Sequence, residues 1–336
     1  MARDKGTVWI GTSGWVYKQW AGNFYPKGWP KKNEFGYYVR HFPTVEINAT
    51  FYRLPSLSMV RGWHEKAPDG FVFAVKGSRY LTHNKRLRDT SKGLQKYFRR
   101  LVPLGDRTGP ILWQLPPNFL KNEETFERLG RFLAKLPKRY QHAVEFRHPS
   151  WMDEQTLELL RKHKAANVWI SSLKMPVNYA ITGDFVYLRF HGLQGGAYHD
   201  YTNDELAPWA RELEQAAAQG YPCYVYFNND LNTRAPLNAA ALMSMLSTYR
   251  VAPKAGDGVE LPEIAPPPPG PETWPAWNIV RRVRKAVAKR PARKAAPLVR
   301  RTAGAPTYAQ TTVPVPAGRG RTRARPPSVL ARRRGS

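Results

Sequence analysis

Cysteine is almost missing from this chain. A single Cys223 in 336 residues excludes a disulfide framework and any cysteine-based structural zinc site. No run of 18 apolar residues occurs, and the first residues, MARDKGTVWIGTSGW, lack the apolar core of a secretion signal, so a soluble, cytoplasmic protein without a membrane span is expected. Acidic residues are scarce, at 25 Asp+Glu against 53 Lys+Arg, giving a formal charge of +28 that points to a polyanionic partner. The 42% hydrophobic and 12% aromatic content supplies a substantial core and excludes wholesale disorder.

The shortage of acid is uneven. From Trp274 to Ser336 there are 17 Lys+Arg and no Asp or Glu, in a background of Pro, Ala and Gly with few aromatics. Such a segment buries too little apolar area to offset its ordering entropy and is expected to be disordered. It follows a proline-rich stretch, so the chain is read as a folded body (1–253), a Pro-rich linker (254–273) and a basic tail (274–336). Residues 254–336 hold 18 Lys+Arg and 4 Asp+Glu, leaving 35 against 21 in the body, which therefore stays at +14. The tail's Lys/Arg runs suit nucleic acid bound through its phosphates without sequence selectivity.

The body alternates between β-rich runs and helical patterns. Eight runs occupy 8–14, 44–51, 71–77, 110–115, 142–148, 167–172, 185–191 and 223–228. Helices are expected over 203–219, where Thr202 and Glu205 form a capping box, over 123–136 capped by Asn122, and after Ser150. The 173–184 connection is too short for a full helix. Eight β/α units in about 250 residues is the size of an α/β, TIM-type (β/α)8 barrel. An open doubly wound sheet is the alternative, but its G-x-G-x-x-G phosphate loop is missing, and no other nucleotide-cofactor motif is present.

Strand parity then sorts side chains. Where Val45, Ile47, Phe73, Val75, Ile111, Trp113, Val144, Phe146, Leu188, Phe190, Val225 and Phe227 face surrounding helices, their neighbours face the barrel axis. Those neighbours are Glu46, Asn48, Lys76, Gln114, Glu145, Arg147, Arg189, His191 and Asn228, together with Tyr187 and Tyr226. The polar members lie toward the strands' C-terminal ends, where barrel enzymes place their sites.

The motifs GTSGW (11–15), EINATFY (46–52), QLPPNF (114–119), EFRHPSW (145–151), RFHG (189–192) and FNND (227–230) together resemble the YecE-like family, domain of unknown function 72, over residues ~7–250. The resemblance implies a TIM-type barrel and no established activity.

The inward set admits several chemistries. Arg147, Arg189 and Lys76 suit an anionic small molecule or a phosphodiester, gripped by Arg, with Asn48, Gln114 and Asn228 as amide partners. The same residues could instead form an internal ion-pair network, since buried charges require partners. Glu46 and Glu145 read either as an acid/base pair of the glycosidase or isomerase sort or as anchors for Arg. His191 is the general acid/base candidate through its near-neutral ordinary pKa, or a hydrogen-bonded strand-end histidine. Glu46, Glu145, His191 and Asp230 carry divalent-metal chemistry, but no H-x-H or H-E-x-x-H spacing supports it. Of the aromatics, Trp15 and Trp151 are the expected ligand contacts, and 192–203 is a glycine-containing segment with the character of a lid. The leading reading is a phosphoester-directed enzyme; tail-mediated nucleic-acid binding without catalysis is the alternative.

Overall fold

The computed structural model describes residues 6–247 and Tyr249. The expected linker and tail (254–336) lie outside the described residues. Eight strands run parallel: β1 (Val8–Thr12), β2 (Thr44–Ile47), β3 (Val72–Lys76), β4 (Thr108–Gln114), β5 (His142–Glu145), β6 (Ala166–Ser171), β7 (Val186–Phe190) and β8 (Cys223–Phe227). The helices are α1 (Glu34–Tyr38), α2 (Ala49–Tyr52), α3 (Leu57–Lys66), α4 (Ser91–Leu101), α5 (Glu123–Ala134), α6 (Glu154–Lys162), α7 (Asn203–Ala218) and α8 (Arg234–Met245). From β2 to β8 each strand pairs with its sequence neighbour, and β1 pairs with β8, giving a nearly closed TIM-type barrel.

The expected caps are present. Asn122 and Thr125 satisfy each other's backbone at the start of α5, and Thr202 and Glu205 do so for α7. No helix lies in 173–184, as its length requires. Among the described residues no helix is long and apolar enough to cross a membrane.

The barrel ring closes differently at the β1–β2 seam. The backbones meet there in a single bridge, Ser13 to Glu46, and the Tyr38 hydroxyl stitches the rest. It accepts from the Thr12 amide at 3.0 Å and donates to the Thr44 carbonyl at 3.0 Å. Close approach demands glycine at 11, where a Cβ would lie 2.1 Å from the Thr44 oxygen. This crossover holds only two three-residue 3-10 turns (Lys18–Trp20, Lys31–Asn33) and the five-residue α1, and aromatic side chains pack along it. Trp20, fully buried, packs against Tyr17, Phe24, Tyr25 and Tyr38.

The interior is graded along its axis. Trp9 stacks on Tyr224 near the N-terminal ends, and Tyr187 meets Tyr226 above them. Charged residues begin only at the level of Glu46, Glu145 and Arg189, so polar atoms concentrate at the C-terminal mouth.

Candidate functional site

Three fully buried side chains form the floor of the mouth. Arg189, from β7, lies between two carboxylates: Nη2 donates to Glu46 Oε1 at 2.8 Å and Nη1 to Glu145 Oε2 at 2.6 Å. Glu46 also accepts from Ser13 Oγ at 2.5 Å and the Tyr187 hydroxyl at 2.6 Å. Glu145 Oε1 accepts from Gln114 Nε2 at 2.9 Å and Arg147 Nη1 at 2.8 Å, and His191 Nε2 lies 3.0 Å away. Burial alone would raise both carboxylates. Arg189 together with Lys76, Ser13 and Tyr187 outweighs it at Glu46, and Arg189 together with His191 and Arg147 does so at Glu145. Glu46 is thus held below its ordinary pKa and Glu145 well below it. Both remain carboxylates at neutral pH, and neither is a proton donor there.

His191 departs from its expected titration. Burial, only partly offset by Glu145, lowers its pKa to about 4, so the imidazole is neutral through the physiological range. Nε2 lies 3.0 Å from Glu145 Oε1, 3.0 Å from Arg147 Nη1 and 3.2 Å from Arg189 Nη1, and Nδ1 lies 3.2 Å from Asn228 Nδ2; a protonated Nε2 donates to Glu145, whereas a bare Nε2 accepts from the two guanidinium groups.

Above the floor lies a half-buried rim. Arg147 remains 24% exposed. Asn48 donates to the Ser13 carbonyl at 3.1 Å, while its Oδ1 is a buried acceptor with no partner among the described residues. Lys76 ends β3 with its Nζ 4.4 Å above the Phe51 ring. Burial first, then Arg189, lower its pKa to about 8.

Sequence reasoning missed part of this rim. The segment after β3 makes a π-turn at Tyr80–Asn84, and Arg86, Leu87 and Asp89 all adopt positive φ, a concentration of backbone strain. His83 in this turn is pushed down to about 4 by burial and then by Lys76, Arg79, Arg147 and Arg86, whose charges all reach it. Arg79 and Arg86 form no ion pair among the described residues. Arg86 donates instead to the side chain and carbonyl of Asn118, both at 2.9 Å. The available signal was the basic run from Arg79 to Arg88 directly after a strand's C-terminal end, the position of site-forming loops in a barrel. Ser13, quoted above only within the GTSGW motif, is the other missed member.

The structure brings Glu46, Asn48, Lys76, Gln114, Glu145, Arg147, Arg189, His191 and Asn228 to the mouth. The two tryptophans both make packing contacts. Trp151, 1% exposed, stacks between Phe119 and Phe146 and donates its indole N–H to the Phe119 carbonyl at 2.6 Å. Trp15 packs its ring against Phe35 and Trp63. Both rings serve apolar packing.

Asp230 also stands apart from the other proposed metal ligands. Trp20 Nε1 donates to it at 2.6 Å and Gln19 Nε2 at 3.1 Å, and burial raises its pKa to about 7. Among the described residues no three His, Cys, Asp or Glu side chains gather as a metal site. Between Glu46 and Glu145 the cation is the Arg189 guanidinium. Segment 192–203 is tied down: Gly192 N donates to the Tyr201 hydroxyl at 2.9 Å, Leu231 N to the Ala197 carbonyl at 3.0 Å, and Asn229 Nδ2 to the His199 carbonyl at 2.8 Å.

Comparison with protein families matches residues 9–260 to the family described as protein of unknown function DUF72. YecE of Escherichia coli K12, described as a UPF0759 protein, is 33% identical over 154 residues, 45% of this chain and 53% of YecE. The matched part thus spans about half of that relative. YunF of Bacillus subtilis is 26% identical over 274 residues, covering 71% of this chain and 94% of YunF. A crystal structure of a DUF72 family protein from Thermotoga maritima superimposes with a TM-score of 0.66 at 30% identity, over 71% of this chain and 98% of that one. One from Enterococcus faecalis gives 0.65 at 18% identity, covering 74% and 99%, a likeness of fold.

Proposed function

The chain belongs to the DUF72 family, and on the geometry of its barrel mouth we propose that it is an enzyme whose substrate bears a phosphate group, held at the β3–β5 side of that mouth. One observation carries this reading. The charges of Lys76, Arg79, Arg86 and Arg147 all act on His83, and among the described residues only Arg147 has a carboxylate partner, Glu145, which it shares with Arg189. Arg79 and Arg86 have no carboxylate partner among the described residues, and planar guanidinium donor forks suit phosphate. Gln114, Asn48 and Asn228 add neutral contacts. His191, oriented by Glu145, is the group left for proton transfer, acting as a neutral imidazole. A glycosidase-like use of Glu46 and Glu145 receives no support, because that chemistry needs one carboxyl protonated and both are held ionised.

The test is thermal unfolding in inorganic pyrophosphate against chloride at equal ionic strength, with a panel of phosphoesters assayed for turnover. Pyrophosphate is expected to raise the midpoint in the parent chain and not in the triple variant Arg79→Gln, Arg86→Gln, Arg147→Gln. An equal shift in both places the anion elsewhere and overturns the reading.

We also propose that the acid-free tail binds nucleic acid through its phosphates, on the strength of its 17 Lys+Arg. Deleting 254–336 is expected to weaken DNA binding strongly and to flatten its dependence on salt. Unchanged affinity in a filter-binding titration would remove the tail from that role.

A further inference from the structure

Lys76 is the inward-facing cation for which the ion-pair network has no place. Its neighbours Glu46 and Glu145 would ordinarily capture an ammonium group, but their oxygens are taken by Arg189, Ser13, Tyr187, Gln114 and Arg147. Among the described residues Nζ makes no ion pair or hydrogen bond, and its contact is the Phe51 ring at 4.4 Å. The backbone of the same residue is firmly held. Its carbonyl accepts from Thr50 Oγ1 at 2.6 Å and from the Tyr97 hydroxyl at 3.2 Å, one partner on each side of β3 in sequence. A held backbone with an uncommitted amine, at the end of a barrel strand, is an arrangement suited to a nucleophile.

We propose that Lys76 is a carbonyl-capturing residue, forming an imine through Nζ with a small aldehyde or ketone that also carries an anionic group. The anionic group would be held by Arg79, Arg86 and Arg147, so this part rests on the anion-site reading above. The electrostatics agree with the geometry. Burial and the charge of Arg189, with a smaller contribution from Arg147, disfavour the ammonium form, and the opposing pull of Glu46 and Glu145 does not restore it. The amine is therefore available at a pH where surface lysines are almost wholly protonated. The step balances without a co-reactant. The nitrogen lone pair forms a bond to the carbonyl carbon and the carbon–oxygen bond breaks. Two of the three ammonium protons leave with that oxygen as water, and the third remains on the iminium nitrogen.

The full chain, incubated at pH 7 with glyoxylate or with acetaldehyde and treated with cyanoborohydride, would be mapped by peptide mass spectrometry. The reductant fixes the imine as a secondary amine. Lys76 is expected to carry the adduct at least about tenfold more often than any exposed lysine. An amine with a pKa near 8 is deprotonated on the order of a hundredfold more at pH 7 than one near 10.4. Labelling of Lys76 should rise with pH through about 8, while that of exposed lysines keeps rising toward 10. Labelling spread over the lysines by exposure, with Lys76 not enriched, overturns the proposal. The two probes separate it from the anion site. Enrichment with acetaldehyde and no preference for glyoxylate keeps the imine and breaks the anion reading, whereas preference for glyoxylate lost in Arg147→Gln supports both.

Discussion

The floor and the rim of the barrel mouth use the same residue types for opposite ends. In the floor, Arg189 is fully buried and both its carboxylate partners are saturated, so its charges are spent on one another. On the rim, Lys76, Arg79 and Arg86 have no carboxylate partner among the described residues and remain in contact with solvent. Desolvation separates the two. A buried charge costs several kcal/mol unless it is paired, so the floor charges are paired with one another and with Arg147, while partly exposed cations can wait for a ligand. The lesson is that an arginine facing a barrel axis is not by that fact a binding residue; what its partners leave unsatisfied decides.

Breaking the floor should give the largest effect. Arg189→Met leaves two buried carboxylates without their cation and is expected to cost about 3–5 kcal/mol. That corresponds to a fall of roughly 10 °C in the thermal midpoint for a domain of this size, read by circular dichroism. A small change would mean that water already reaches the floor.

Asp230 sharpens the contrast, since it is a buried carboxylate with neutral donors and no ion pair among the described residues. Its pKa is raised to about 7, above its unfolded value near 3.8, so the fold prefers it protonated. Its contribution is complete below about pH 4 and is lost as pH rises through 7. Asp230→Asn should therefore stabilise the protein by up to about 2–4 kcal/mol at pH 8 and by little at pH 4. The difference between variant and parent isolates this group from His41, His83, His142 and His191. Their pKa values, lowered to about 4, make stability fall as pH drops below 6.5. A pH-independent difference in denaturant titrations would contradict the assignment.

The rim should give the smallest effect on folding. Arg79→Gln with Arg86→Gln removes two cations that no carboxylate balances, and stability is expected to change by less than about 1 kcal/mol. A loss as large as that of Arg189→Met would make the rim part of the structural network and erase the distinction.

Much of this arrangement was legible in the residues alone. The period of two along a strand dictates that Glu46, Glu145, Arg189 and His191 share the barrel axis, because their neighbours Val45, Val144, Leu188 and Phe190 need apolar cover. Capping at Asn122 and Thr202 is equally local, a matter of one side chain reaching an amide three residues on. Other features were out of reach because they depend on residues distant in sequence. Trp151 lies in a motif rich in polar residues, yet its ring is claimed by Phe119 and Phe146. His191 reads as a neutral-pH titrating group until burial is known. Arg79 and Arg86 gain meaning only when a strained turn lets their charges act on His83 together with those of Lys76 and Arg147. The seam between β1 and β2 depends on a hydroxyl from position 38 filling a gap between strands.

The sequence by itself determined the barrel, its polar end and the excess of cations there, since periodicity and composition act locally and add along the chain. Only the tertiary structure decided which of those cations are consumed and which are left. That outcome depends on distances of about 3 Å between side chains more than a hundred residues apart, and on the loss of water around them.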